Sequence, residues 1–222
     1  MSARATVLVV AKAPVPGLAK TRLSPAVPPA QAADIAAASL LDTLDAVLAT
    51  PGVVPVVALT GDLTKAERSR EIRSLLRHVV LLPQRGADFP ARLANAHADA
   101  ARLNAGLPVL QIGMDTPQVT AELLDECVGS LRYADGVLGP ATDGGWWALG
   151  LRDGHRADVL RTVPTSRDDT GALTAAALER SGLRIGLLPE LSDVDDMTTA
   201  REVAAVLPGS RFAEALLVGV FR

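Results

Sequence analysis

The 222-residue chain is poor in the residues that form covalent cross-links and zinc sites, with one cysteine and three histidines. Cys127 alone cannot form a disulfide within the chain or a cysteine-rich zinc site. The histidines have no cysteine or histidine partner at the spacing of metal ligands. The sequence also contains no Walker-type phosphate loop and no Gly-x-Ser-x-Gly nucleophile elbow. Any chemistry must therefore come from other residue types.

The chain also lacks an excess of basic residues and any long uncharged stretch. The formal net charge of -3 argues against non-specific binding of nucleic acid, which needs a broad basic face. No uncharged stretch approaches the length that spans a membrane. The N-terminus shows no signal-peptide pattern, because Lys12 interrupts the short apolar run that follows Arg4. We expect a cytoplasmic protein that binds no nucleic acid and has no membrane span.

Apolar runs alternate with helical patterns along the whole chain. The predicted strands are residues 7–10, 53–59, 79–82, 108–112, 136–138, 146–151 and 183–188. The predicted helices are residues 31–48, 65–77, 90–104, 121–131, 169–180 and 198–207, and an apolar segment at 212–220 packs on the body. This alternation predicts a single domain over residues 1–222, an α/β fold with a doubly wound, mostly parallel sheet. Pro55, within the second predicted strand, suggests an edge strand or a bulge.

A basic loop, residues 11–23, follows the first predicted strand and contains three cations but no carboxylate. A buried strand that ends in a basic turn at the edge of a sheet is a common way to bind an anion, usually a phosphate. Two prolines leave the loop with few backbone donors. We therefore assign phosphate binding to Lys12, Gly17, Lys20 and Arg22. The alternative is a solvated loop whose charges only keep the protein soluble.

Isolated carboxylates follow two later strands, as a site for a divalent cation requires. Asp115 comes after the fourth predicted strand and is our first choice as a metal ligand, because Mg²⁺ prefers oxygen ligands. Asp193 and Asp195 lie in an acidic segment, residues 191–196, where a spacing of two places both on one face of extended chain. We favour Asp195 as the second ligand. The alternatives are a helix N-cap at Asp115 and a turn in which Asp196 or Thr198 caps the next helix.

A third carboxylate, Asp143, begins the turn Asp143-Gly144-Gly145, directly before the only two tryptophans of the chain. As a hairpin connection alone this turn is unremarkable. Only 3% of the residues are aromatic, so the adjacent Trp146 and Trp147 raise the interest of the turn. One of them could stack on a base or sugar while strand alternation buries the other, and core packing of both is an equal alternative.

Taken together, these segments resemble the nucleotide-diphospho-sugar transferase (GT-A) superfamily, and most of all a bacterial glycosyltransferase-like group within it. The resemblance rests on a Lys-Ala-Pro-x-Pro-Gly-x-x-Lys-Thr-Arg-Leu loop at 12–23, Gly-x-Asp-x-Pro at 113–117, Gly-Pro-Ala-x-Asp-Gly-Gly at 139–145 and Asp-Val-Asp at 193–195. The first and last segments also look like those of 2-phospho-lactate guanylyltransferases. The chain departs from the group at Met114, where a small residue is usual, and at Trp146-Trp147, where tyrosines are common.

The resemblance implies a single α/β domain that binds a nucleotide over its N-terminal half. Lys20 and Arg22 would bind phosphates, and Asp115 and Asp195 would hold Mg²⁺. The turn at Asp143 would face the acceptor. We group Gly144, Gly145 and Trp146 with this turn as acceptor-binding residues, and Asp193 with the metal ligands.

We expect a Mg²⁺-dependent (or Mn²⁺-dependent) transferase that uses a nucleotide-activated donor, with Lys20, Arg22 and Asp115 as catalytic residues. The substrates would be a nucleoside triphosphate or a nucleotide sugar and a small-molecule acceptor. Nucleotidyl transfer and glycosyl transfer both remain open at this point, as does assembly into a homodimer. The alternative class is a non-catalytic nucleotide-binding module of the same fold. A phosphatase would need a nucleophilic aspartate after the first strand, where Ala11-Lys12 stands instead.

Overall fold

Seven strands form one sheet in the part of the chain that the computed structural model describes, residues 3–217. They are β1 Ala5–Lys12, β2 Val53–Thr60, β3 Val80–Pro83, β4 Val109–Ile112, β5 Gly136–Pro140, β6 Trp146–Leu151 and β7 Ile185–Leu187. Their order across the sheet is β3-β2-β1-β4-β6-β5-β7. Only β6 runs antiparallel to its neighbours, β4 and β5. The prediction of a mostly parallel α/β sheet is confirmed.

The helices alternate with these strands. They are α1 Pro29–Ala49, α2 Ser69–Leu76, α3 Phe89–Leu103, α4 Ala121–Ser130, α5 Thr170–Arg180, α6 Met197–Ala205 and α7 Arg211–Leu217. The predicted apolar segment 212–220 is represented by α7, and residues 218–220 lie outside the described residues. None of the helices in residues 3–217 combines the length and apolar character needed to cross a bilayer.

Two regions differ from the sequence-based prediction. The predicted helix at 65–77 is interrupted: a 3₁₀ turn covers Leu63–Lys65, and α2 begins only after Arg68, whose φ of 46° is left-handed. A second 3₁₀ segment, Gly154–Thr162, was not predicted. Asp62 and Asp153 cap these two segments by accepting hydrogen bonds from backbone N–H groups. A 3₁₀ segment has three residues per turn, so it lacks the 3.6-residue apolar repeat by which an α-helix is predicted.

Pro55 lies in an inner strand, so the expectation of an edge strand or a bulge is correct only locally. β2 pairs with β1 along its whole length, but its pairing with β3 begins at Val56. At Pro55 the strand therefore has β1 as its single neighbour. On the side of β3 there is no partner strand at this position, so the missing N–H loses no hydrogen bond there.

Helices cover both faces of the sheet, as the strand side chains require. In β1, Val7 and Val9 belong to the main apolar cluster, which contains residues of α1 and α4. Leu8 points to the other face and packs in a cluster with residues of α3. This period-two alternation, with both sets fully buried, is what a central parallel strand between two helical layers shows.

A separate apolar cluster, which we call the C-terminal cluster, lies beside the sheet and combines parts distant in sequence. Its buried members come from the basic loop, α1, the acidic segment, α6 and α7: Leu23, Ala32, Ile35, Ala38, Val194, Ala200, Val203, Phe212, Ala215 and Leu216. Helix α7 is also held on α1 by polar contacts. The Arg211 guanidinium lies 2.6 Å from an Asp45 carboxylate oxygen, and the Phe212 N–H donates to Asp42 at 2.9 Å.

The sheet order creates a crevice at the carboxyl ends of β1 and β4. The chain runs from β1 to β2 and β3 on one side and then returns to β4 on the other side of β1. The connections that leave β1 and β4 therefore diverge, and ligands of open α/β sheets bind at such a switch point.

The buried histidine of α3 predicts a specific pH dependence of stability. His97 is fully buried, and burial lowers its pKa to about 4, while neighbouring Gln111 opposes this shift without cancelling it. From its ordinary pKa of 6.5 down to about 4, the unfolded chain binds a proton here that the folded chain does not. The contribution of neutral His97 to the free energy of unfolding is therefore fully present at neutral pH. As the pH falls through this window, the contribution decreases by about 1.4 kcal/mol per pH unit.

Urea unfolding of the wild type and of His97→Gln at about pH 7 and about pH 5 measures how much unfolding free energy each protein loses on acidification. We expect the variant to lose less stability on acidification than the wild type. The exposed His155 provides the control, and His155→Gln should keep the wild-type difference between the two pH values. Equal acid sensitivity of His97→Gln and wild type would contradict the assignment.

Candidate active site at the ends of β1 and β4

A cleft of about 230 Å³ opens at the crevice between the basic loop, the segment after β4 and the acidic segment. Its lining includes Lys12, Lys20, Arg22, Asp115 and Asp195. The structure therefore brings together cations and carboxylates that are up to 183 residues apart in sequence, counted from 12 to 195. The roles assigned to these side chains stay predictions, but their common location is a property of the fold.

Lys20 lies at the centre of this cleft. Its ammonium is 2.8 Å from Asp115 Oδ1 and 3.9 Å from Asp195 Oδ1, and it also donates to the carbonyl of Val194. Only 9% of the side chain is exposed. The backbone at Lys20 has a φ of 46°, a left-handed conformation that costs a non-glycine residue energy and is frequent at functional sites. Two carboxylates thus converge on one buried cation.

The other two cations of the basic loop are more exposed. Arg22 forms an ion pair with Asp195, although 68% of its side chain is accessible to solvent. The Lys12 ammonium donates to the carbonyl of Leu18 at 2.8 Å, which bends it back over the loop. Gly17 adopts a φ of 75° in open space, so its role in the turn is conformational. Both cationic side chains line the cleft.

The carboxylates form one electrostatic neighbourhood around Asp193. Burial and, after it, the negative charges of Asp115, Asp143 and Asp195 together raise the pKa of Asp193 to about 7, although the charge of Lys20 opposes the shift. Asp143 contributes although its turn does not line the cleft. The predicted ligands therefore repel one another, and a further positive charge among them would be stabilised.

Asp115 and Asp195 have the arrangement of a partial metal site. Among residues 3–217, no group of three histidine, cysteine or acidic side chains is gathered as a ready-made metal centre. The two carboxylates nevertheless converge on a single cation, the Lys20 ammonium. Mg²⁺ in nucleotide sites is commonly held by one or two carboxylates, with substrate phosphates and water as the other ligands. This pair fits such a site, and it fits a cage built from protein ligands alone poorly.

Backbone hydrogen bonds join the two carboxylate segments. The Val194 N–H donates to the carbonyl of Asp115 at 3.1 Å, and the Gln118 side-chain amide donates to the carbonyl of Ser192 at 2.7 Å. The acidic segment, which follows β7 at the far edge of the sheet, is thereby tied to the connection that follows β4. These bonds place Asp195 next to Asp115.

Other residues cap the helices that follow the predicted ligands. Thr120 caps α4 by accepting from the Leu123 N–H at 3.2 Å, so the N-cap alternative for Asp115 is wrong. Asp196 caps α6 in a capping box with Thr199, as the alternative reading of this turn proposed. Because Asp196 takes this task, the carboxylate of Asp195 is directed at the cations of the basic loop.

The predicted acceptor turn is a rigid element next to the N-terminus of α5. The Gly145 N–H donates to Asp143 Oδ1 at 2.8 Å, and the Gly171 N–H donates to the carbonyl of Gly144 at 2.8 Å. Gly144 has a φ of 85°, and a Cβ atom there would lie 1.8 Å from the carbonyl oxygen of Asp168. Only glycine fits this contact. Whether the turn binds an acceptor stays a prediction.

The two tryptophans have different environments. Trp147 is buried in the main cluster, and its indole N–H donates to the carbonyl of Pro189 at 2.9 Å, so it supports the chain that leads to the acidic segment. Trp146 is only half-buried and packs beside the cluster formed by α3 and α5 residues. The strand alternation expected from the sequence is therefore observed, and the role of the more exposed Trp146 in binding an acceptor stays a prediction.

Sequence reasoning missed two contributors to the cleft. Met114, noted only as a departure from the family pattern, lines the cleft, and its sulfur accepts from the Lys12 N–H at 3.2 Å. Ser39, a buried residue of α1, donates to the Met114 carbonyl at 2.7 Å and fixes this segment. Val194 is a signal that the sequence did offer: it is an apolar residue between two predicted ligands, and it is fully buried in the C-terminal cluster.

Known proteins resemble this chain over most of its length. The family described as "Uncharacterized protein conserved in bacteria (DUF2064)" matches residues 43–167. A phosphoenolpyruvate guanylyltransferase of Nocardia farcinica is 28% identical over 192 residues, which are 84% of this chain and 81% of the relative. A second protein of that name, from Streptosporangium roseum, is 34% identical over 137 residues, 61% of this chain and 59% of its own length.

Among solved structures, a protein of Desulfovibrio desulfuricans assigned as a nucleotide-diphospho-sugar transferase superposes with a TM-score of 0.83 at 26% identity. The match covers 98% of this chain and 94% of the other. The fold expected from the four sequence segments is thereby confirmed.

Two glycines with left-handed backbone allow a test of the acceptor turn. Gly144→Ala should destabilise the protein by about 3 kcal/mol or more, because its methyl group would overlap the main chain at Asp168. Gly17→Ala, which has the same conformational handicap but open space, should cost only about 1 kcal/mol. Urea unfolding measures both. Equal losses would show that the turn does not pack on the segment before α5 as described.

Proposed function

The chain belongs to the DUF2064 family, and we propose that it is a Mg²⁺-dependent nucleotidyltransferase that transfers a nucleoside monophosphate to a small acidic acceptor. One observation supports this most directly: the cations Lys20 and Arg22 and the carboxylates Asp115 and Asp195 meet in one cleft at the switch point of the sheet. A triphosphate bound with one divalent ion needs both kinds of group at the same place.

The relatives suggest the substrates. Two proteins similar to this chain are named phosphoenolpyruvate guanylyltransferases. We therefore propose GTP as the donor and phosphoenolpyruvate, or a related phosphorylated acid, as the acceptor. Such a pair is strongly anionic, because a nucleoside triphosphate alone carries about four negative charges. The three cations of the basic loop would offset part of this negative charge.

In this reaction an acceptor phosphate oxygen attacks the α-phosphorus of the triphosphate. The bond from the α-phosphorus to the α–β bridging oxygen breaks, and pyrophosphate leaves with the negative charge. Lys20 and Arg22 would stabilise the departing charge, Lys20 as a point charge and Arg22 in two-pronged fashion. At an effective dielectric of 20, a cation about 4 Å from a phosphate oxygen contributes about 4 kcal/mol of attraction before desolvation.

Asp115 and Asp195 would hold the divalent ion, with Asp193 as a neighbouring carboxylate. When bound, the ion would neutralise phosphate charge and fix the orientation of the triphosphate. The protein side chains would otherwise position the reactants and exclude alternative geometries, and no covalent enzyme intermediate is needed. The half-buried Trp146 and the turn at Asp143 would lie towards the acceptor.

Glycosyl transfer is the second candidate, because the structural neighbour at a TM-score of 0.83 is assigned as a nucleotide-diphospho-sugar transferase. The same cleft could hold a nucleotide sugar, with the nucleoside diphosphate as the leaving group. A thermal-shift panel of nucleoside triphosphates and nucleotide sugars, with and without Mg²⁺, separates the two. A ligand at 100 times its dissociation constant adds about 2.7 kcal/mol of stability, which is readily detected.

The central test is Asp115→Asn assayed by Mg²⁺-dependent pyrophosphate release from GTP with phosphoenolpyruvate as acceptor. We expect turnover to fall about 100-fold or more, because the amide cannot replace a charged ligand of a divalent ion. Asp158→Asn is the matched control: this exposed aspartate pairs with Arg161 on the surface and should retain wild-type turnover. Circular dichroism verifies that both variants are folded.

Near-normal turnover of Asp115→Asn would refute the metal role. If wild type binds nucleotide but releases neither pyrophosphate nor nucleoside diphosphate with any acceptor, the chain is a binding module and the proposed function is wrong.

A further inference from the structure

Val194 is fully buried although it stands between two aspartates of the candidate site. Asp193 and Asp195 on either side are partly exposed. The Val194 side chain packs in the C-terminal cluster, with Ile35 of α1 and Phe212 of α7. An acidic turn whose only role was to keep the surface soluble would not require a buried apolar side chain.

The backbone of Val194 joins both halves of the cleft. Its N–H donates to the carbonyl of Asp115 at 3.1 Å. Its carbonyl accepts from the ammonium of Lys20. A single residue thus connects the segment after β4, the acidic segment and the basic loop through main-chain atoms, which a substitution of its side chain does not remove.

The basic loop is fixed in the same cluster. Leu23, the neighbour of Arg22, is fully buried there, and its N–H donates to the carbonyl of Lys20 at 2.9 Å. Leu23 and Val194 therefore connect the cationic loop and the acidic segment to one apolar body that includes α6 and α7. Movement of that body would move both functional segments.

We propose that Val194 is a positioning residue: its burial in the C-terminal cluster holds Asp193, Asp195 and the carbonyl contact of Lys20 in register with Asp115. This inference rests on the proposed function for its catalytic meaning, and on the structure alone for its geometry. Helices α6 and α7 contribute no side chain to the cleft lining. Their role on this proposal is to form the cluster that holds Val194. Functional groups must be held to within about 0.5 Å, so a small displacement of this segment matters.

The first test measures how accessible the Lys20 ammonium is, and it needs no ligand. The chain has three lysines, Lys12, Lys20 and Lys65, and only Lys20 is enclosed. Reductive methylation followed by mass spectrometry reports the labelling rate of each. In Val194→Ala we expect Lys20 to label about tenfold faster, because local opening frees its ammonium, while Lys12 and Lys65 serve as internal references.

A matched control removes the same two methyl groups elsewhere. Val57 of β2 is buried in the main cluster and does not line the cleft, so Val57→Ala should lower stability comparably but leave the Lys20 labelling rate unchanged. Val194→Ile, which keeps a branched side chain in the cluster, should label like wild type. Urea unfolding verifies that each variant is folded under the labelling conditions.

The second test reads the functional consequence. Electron paramagnetic resonance of free Mn²⁺ with GTP, referred to the same Mn²⁺ and GTP without protein, measures the metal affinity that the protein adds, and we expect a loss of about tenfold or more in Val194→Ala and none in Val57→Ala. If Lys20 labels equally slowly in Val194→Ala and Val57→Ala, the positioning role is overturned. If labelling changes as expected but wild type itself binds no Mn²⁺ with GTP, the proposed function fails while the positioning of Lys20 stands.

Discussion

The contact of the Lys20 ammonium with Asp115 and Asp195 determines the character of the site. Four carboxylates share this region, and two of them, Asp115 and Asp195, form ion pairs with Lys20 or Arg22. The carboxylates around Asp193 outnumber the cations paired with them, and the raised pKa of Asp193 is a consequence first of burial and then of that imbalance. A further cation on the carboxylate side of the cleft would be stabilised by these groups, which is the physical basis for proposing a divalent ion there.

The sheet topology makes that contact possible, and the C-terminal helices maintain it. β1 and β4 are neighbours with connections that diverge, so the basic loop and Asp115 meet at the carboxyl edge. The acidic segment arrives from β7, three strands away from β4 in the sheet, and needs separate support. The hydrogen bond from Val194 to Asp115 and the C-terminal cluster provide it. The site is thus assembled from one strand-edge crevice and one docked segment.

Much of the fold could be predicted from the sequence, because it depends on local patterns. The run at 146–151 was predicted to the residue, and residues placed after strands lie at one edge of the sheet. The pairing within the site could not be predicted, because it depends on contacts across the chain. Lys20 and Arg22 were predicted to bind phosphate, but in the structure each of them forms an ion pair with a carboxylate of the protein itself. The left-handed Arg68, which interrupts the helix predicted at 65–77, is stabilised by Asp34, 34 residues away.

These ion pairs have a consequence for how the binding of nucleotide and of metal would be coupled. A triphosphate that recruits Lys20 must draw it from Asp115, and the carboxylates left behind would then repel one another without compensation. A divalent ion that takes over the carboxylates removes this cost, and the phosphates supply ligands that the protein does not. If the proposed function is right, nucleotide and metal each improve the site for the other, and linkage makes that coupling reciprocal. On that proposal the free protein would bind either ligand alone weakly, and the two together strongly.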